Sequence, residues 1–138
     1  MKLTRLFFLM VALSSFGWFG CAHNKSSLLP VHDEVLTFSL PLDLAYLRTL
    51  DAIQAHPDWD LDRTVKEQGL IYLRNQRYSS FADADQRTAT LIIKQVGPRK
   101  TTVRLAPESQ SVVGGDEILK LVKDYLSLEV SRRVASGR

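Results

Sequence analysis

Three aspartates stand at alternate places in Asp58-Trp59-Asp60-Leu61-Asp62, the spacing with which a calcium loop gathers carboxylates round a hard cation. Such a loop wants glycine at its sixth position and glutamate at its twelfth; here those are Arg63 and Gly69. An alternating strand accounts for the run without a metal, its aspartates facing solvent while Trp59 and Leu61 face a core. His23, His32 and His56 are not at metal-ligand spacing, and zinc needs three or four convergent ligands. His56, before Pro57 at a helix end, suits the carbonyl end of that helix. There is no serine elbow, phosphate-cradling glycine loop or nucleotide fingerprint. Gly114-Gly115 could hold an anion ahead of a helix, but a turn before a cap requires the same residues. Asp83 and Asp85 could pair for acid–base work, yet they sit among Ser79, Ser80 and Gln86, where nothing would shift their pKa. An enzyme would have to gather distant residues, such as His56 with Asp58 or Asp60. Neither a catalytic residue nor a cofactor is expected.

Binding chemistry is better placed on the polar stretch Gln76 to Gln86, which carries Arg77, Tyr78 and Phe81. Arginine and aromatics together are the mixture enriched where protein surfaces meet. The competing reading folds Tyr78 and Phe81 back over the edge of the core.

The chain opens with a short basic segment, Lys2 and Arg5, followed by the apolar run Leu6 to Phe19 and then Gly20-Cys21, which holds the only cysteine. A positive start, a short apolar stretch and small residues at the cut make an export signal. It resembles the signal of a bacterial lipoprotein, with Cys21 as the residue that would be lipidated. In the four lipobox positions, Trp18-Phe19-Gly20-Cys21, the last two match that pattern and the first two are bulkier than it prefers. Cleavage before His23, giving a soluble secreted protein, and an uncut membrane anchor are the other outcomes; the run is marginal against the roughly 20 apolar residues of a span. The resemblance implies a periplasm-facing, acylated protein. Ala22, where enterobacterial lipoproteins kept at the inner membrane carry aspartate, favours the outer membrane.

Removing residues 1–20 takes Lys2 and Arg5 from the 18 basic side chains and leaves 16 against 15 acidic ones. The net charge of +3 falls to about +1, so the basic balance belongs mostly to the signal and does not argue for nucleic acid. With Cys21 used, no disulfide can form within the chain, and packing must stabilise the domain. Residues 21–34 read as a flexible tether, 35–133 as a single domain long enough for one core, and 134–138 as a frayed tail.

Within the domain, Val35 to Leu40 alternates as a half-buried strand, Leu36, Phe38 and Leu40 on one side. Pro41 suits a first helical turn and Asp43 the dipole. Leu44, Leu47, Leu50 and Ile53 then line one helical face with Tyr46, ending before Pro57. Trp59, Leu61 and Val65 share one strand face, Glu67-Gln68-Gly69 turns the chain, and Leu70 to Leu73 returns, making 59–75 a hairpin. Thr88 to Val96 and Lys100 to Leu105 form a second hairpin about Gly97-Pro98-Arg99. Asp116 caps a last helix with Ile118, Leu121, Val122, Tyr125 and Leu128 at helical spacing. The order β-α-β-β-β-β-α predicts an α+β fold: an antiparallel sheet of about five strands with two helices on one face.

This order, over Val35 to about Arg133, is similar to β-α-β4-α modules of the TATA-binding-protein-like or helix-grip kind. Such modules occur in small envelope lipoproteins, including the BamC component of the outer-membrane barrel assembly machinery. The similarity rests on element order and transfers no residue. The expectation is a lipid-anchored envelope protein whose non-catalytic domain has an interaction or scaffolding role, with another envelope protein as partner. The alternative is a module holding a hydrophobic small ligand, a lipid, between helix and sheet.

Overall fold

The computed structural model describes residues 30–77 and 87–136. The elements run β1 (Leu36–Phe38), α1 (Leu42–Gln54), β2 (Trp59–Val65), β3 (Leu70–Asn75), β4 (Thr88–Gly97), β5 (Lys100–Leu105) and α2 (Gly115–Ser136). The strands make one antiparallel five-stranded sheet in the order β1-β5-β4-β3-β2. The first strand crosses to the far edge and pairs with β5, Leu36 opposite Val103. Both helices lie on one face, α1 against β2 and β4 and α2 against β1 and β5, and the helices pack on each other. This is the expected α+β architecture. Among the described residues no helix is long and apolar enough to cross a membrane.

Alternation decides which strand side chains meet the helices. Phe38, Trp59, Ile71, Leu91, Ile93 and Val103 point inward and are buried. Their neighbours Thr37, Tyr72, Ile92 and Arg104 point outward and retain exposure. The β2–β3 hairpin turns through a 3-10 segment, Lys66–Gln68, that ends at Gly69 with φ +65°. A Cβ on Gly69 would strike the carbonyl oxygen of Ile93, while the Gly69 carbonyl accepts the Ile93 N–H at 2.7 Å. Left-handed backbone and close approach coincide here, so the position requires glycine.

β2 does not keep the simple alternation expected of it. Leu61 pairs with Leu73, but Arg63 pairs with Tyr72, so the register slips by one residue at Asp62. That bulge sends Val65, opposite Leu70, to the outer face instead of joining Trp59 and Leu61. Arg63 is turned outward as well, its guanidinium 4.2 Å from the centre of the Tyr72 ring.

Each helix buries most of the predicted stripe, Tyr46, Ile53, Ile118 and Val122 fully and Leu44, Leu50 and Leu121 in part, but the stripe is turned away from Leu47, Tyr125 and Leu128. On α1 the buried residues are Ala45, Tyr46, Thr49, Ala52 and Ile53, while Leu47 is 53% exposed. Small side chains let α1 lie close to its neighbours, and the Tyr46 hydroxyl donates to the Leu70 carbonyl at 3.2 Å. On α2 the inward residues include Ile118, Leu119, Val122 and Leu126, leaving Tyr125 and Leu128 on the surface. Pro41 is not in the first turn: it precedes the helix in extended conformation and its carbonyl accepts the Ala45 N–H at 3.0 Å. Asp116 is likewise not a cap. Gly114, at φ +78°, offers its carbonyl to the Ile118 N–H, and Asp116 and Glu117 occupy the first turn, where the dipole favours acids.

Polar contacts tie the layers together. Glu129, nearly buried on α2, meets Arg48 of α1 at 3.3 Å and Arg133 at 3.4 Å. The hydrogen bond from Arg48 to Asp51, together with the charge of Glu129, holds the Arg48 guanidinium above its ordinary pKa. The buried Thr101 hydroxyl donates to the Leu40 carbonyl at 2.8 Å. At the chain's entry, inside the segment expected to be tether, the His32 N–H donates to the Gln110 carbonyl at 2.7 Å and its ring abuts Gly115. At the other end α2 runs through Ser136, so residues 134–136 continue the helix.

Candidate interaction site

The described part of the predicted binding stretch begins at Arg77. Inward alternation along β3 ends on Asn75, a polar residue in a core position and 3% exposed. Its N–H donates to the Arg87 carbonyl at 2.8 Å, and its Oδ1 accepts the Arg77 N–H at 2.9 Å. The Gln76 N–H donates to the Asp58 carbonyl at 2.8 Å. Asn75 thereby fixes both ends of the connection from β3 to β4.

Held in this way, the Arg77 side chain turns over the domain. Its guanidinium lies 3.0 Å from Asp58 and 3.7 Å from Glu117 of α2. Asp58 is placed by its own N–H, which donates to His56 Nδ1 at 3.2 Å. Residues His56, Asp58, Arg77, Glu117, Lys120 and Asp124 line a cleft of about 320 Å³, with Leu121 as its apolar wall. Counting histidine neutral, three carboxylates face two cations, so the cleft carries a small negative excess.

Near Glu117, around Gly114, stand Trp59 and Asn75. Among the described residues Trp59 Nε1, Asn75 Nδ2 and Arg87 Nε, none of which lines the cleft, are buried without a hydrogen-bond partner. A Cβ placed on Gly114 would come within 3.2 Å of Asn75 Nδ2, 3.4 Å of Trp59 Cζ2 and 3.5 Å of Glu117 Oε2. Glycine at 114 therefore serves the left-handed backbone and avoids crowding these groups. A buried donor left unpaired costs about 1–3 kcal/mol.

Of the predicted binding residues, Arg77 is in this cleft, while Tyr78 and Phe81 lie outside the described residues, as does the lipidation candidate Cys21. The aspartate run is dispersed: Asp58 meets Arg77, Asp60 meets the Gln76 amide and Asp62 meets Arg74. Among the described residues no group of three or more His, Cys, Asp or Glu is placed to hold a metal ion. His56 and Asp58 are adjacent, but the Asp58 carboxylate serves Arg77 while the imidazole meets a backbone N–H. Sequence reasoning missed Asn75, Trp59 Nε1 and Glu117. Gly114-Gly115 was the one signal near them, and it marks the helix start beside which they converge.

No family model matches the chain, and no curated protein matches its sequence.

Proposed function

We propose that this chain is a lipid-anchored envelope protein, acylated at Cys21, facing the periplasm and held at the outer membrane. Its domain is a non-catalytic interaction or scaffolding module that binds another envelope protein. The Arg77 cleft is the observation that carries the module's role. It combines an arginine already oriented by two carboxylates, a lysine and the apolar wall of Leu121. The mixture suits a protein surface that brings an apolar side chain and a basic group, rather than a substrate to be transformed. The alternative, a lipid held between helix and sheet, would need room that Ile53, Ile71, Leu91, Ile118 and Leu126 fill, each less than 2% exposed.

Two measurements test the proposal separately. Intact mass of protein extracted from bacterial membranes, with and without a lipoprotein signal-peptidase inhibitor, tests the anchor. A mature chain beginning at Cys21 with acyl mass is expected; a chain beginning at His23, or the full-length polypeptide, would refute it. A photo-crosslinker at position 120 tests the cleft in cells. One discrete protein adduct is expected, weakened about tenfold or more by Arg77→Ala if Arg77 is an anchor of the usual strength. No adduct, or one indifferent to that substitution, would remove the cleft from the interface.

A further inference from the structure

With both helices on one side, the other face of the sheet has no covering layer among the described residues. Its middle is apolar, with Val65, Leu70 and Ile92 side by side across three strands. Around them stand Arg63 over the Tyr72 ring, Lys94, Lys100 and Arg104, none within ion-pairing distance of an acid among the described residues. Arg74, also on this face, is paired with Asp62, and Asp60 is bonded to Gln76. The outer face therefore holds five cationic groups against two anionic ones. The two helices on the opposite side carry six acidic side chains against five basic ones. The molecule is electrically two-sided.

Chain length supplies the second argument, which rests on the proposed acylation of Cys21. His32 is fixed to the domain by its hydrogen bond to Gln110, and residues 22–29 between Cys21 and Pro30 reach about 30 Å when fully extended. A domain tethered so closely meets the bilayer continually, and within a Debye length of about 8 Å the lipid charge selects which side is presented. We infer that the outer face of the sheet docks on anionic lipid headgroups, its unpaired cations on the phosphates and its apolar centre at the headgroup boundary. Each cation near an anionic surface adds about 1 kcal/mol, and arginine pairs well with phosphate. This orientation leaves the helices and the Arg77 cleft pointing away from the membrane.

The experiment uses the protein as extracted from bacterial membranes, on vesicles of phosphatidylcholine alone or mixed with equal phosphatidylglycerol. Flotation with the neutral vesicles reports the lipid anchor by itself. Amine-reactive labelling of Lys94 and Lys100, against Lys120 and Lys123 on α2, reports the docked face. On the mixed vesicles the sheet lysines should label about threefold more slowly than the helix lysines, with protection lost near 1 M salt, where the Debye length is about 3 Å. Protection on anionic vesicles supports docking whether or not the neutral vesicles float the protein. Equal labelling of both lysine pairs on the mixed vesicles would overturn it. So would protection without vesicles accompanied by a doubled mass, which would assign the face to a second copy of the chain. The double substitution R63E/R104E should abolish the protection while leaving flotation on neutral vesicles intact; persistent protection would also overturn the assignment.

Discussion

The two faces of the sheet are built from the same strands by alternate residues, and they behave as different materials. Ile71 points to the helices and is fully buried, whereas Tyr72 and Leu70 on either side of it are only partly covered. Ile93 and Ile92 divide in the same way on β4. The inner face spends its residues on packing, and its polar members are few and mostly engaged, as Thr101 is by the Leu40 carbonyl. The outer face keeps apolar area, an aromatic ring and unpaired cations in reach of solvent. One β-strand can thus hold stability on one parity and recognition on the other, and substitutions can address the two separately.

That separation can be broken or sharpened by three measurements of urea unfolding. The largest effect is expected inside: Ile71→Ala should cost about 2–5 kcal/mol through lost burial and the cavity left behind, against under about 1 kcal/mol for Ile92→Ala, an outward residue of the same type. Comparable losses would mean that the outer face is covered in the folded protein. Next is Thr101→Val, which keeps the inner shape and removes the hydroxyl. A cost of about 1 kcal/mol is expected from the orphaned Leu40 carbonyl, and a neutral result would show that this hydrogen bond adds nothing to the packing. The smallest is Arg63→Ala, which removes an exposed cation–π contact worth about 0.5–1 kcal/mol. A larger loss would give the outer face a structural role beside its proposed recognition role.

Element order and hairpin positions were legible because turn chemistry and strand alternation are local. Gly69 and the Gly97-Pro98-Arg99 corner punctuate the chain where the structure turns. The facing of the helices was legible only in part, through Tyr46, Ile53, Ile118 and Val122. Reading large apolar side chains as the buried stripe favoured Leu47, Tyr125 and Leu128, whereas the domain buries Ala45, Thr49 and Ala52 where α1 lies close to its neighbours. Helix phase is set by what packs opposite, and that is tertiary information. Val65 was misplaced for a related reason, since one extra residue at Asp62 reverses parity and alternation alone cannot see it. In the candidate site, Arg77 was visible as a residue type on a polar stretch. Its partner Glu117 is 40 positions away, and Asn75, at the end of an ordinary strand, gave no local sign that its side chain would be buried and hold the Arg77 N–H.

The bulge at Asp62 has one more consequence, for the solubility of a crowded protein. Sheets tend to grow at their borders, where unpaired backbone groups invite another chain. One border here is β1, three residues long and followed by Pro41 three positions later; the other is β2, broken in its middle and studded with Asp60 and Asp62. An incoming strand would find too little straight backbone on the first and a kink lined with carboxylates on the second. Neither rim is therefore a template for polymerisation.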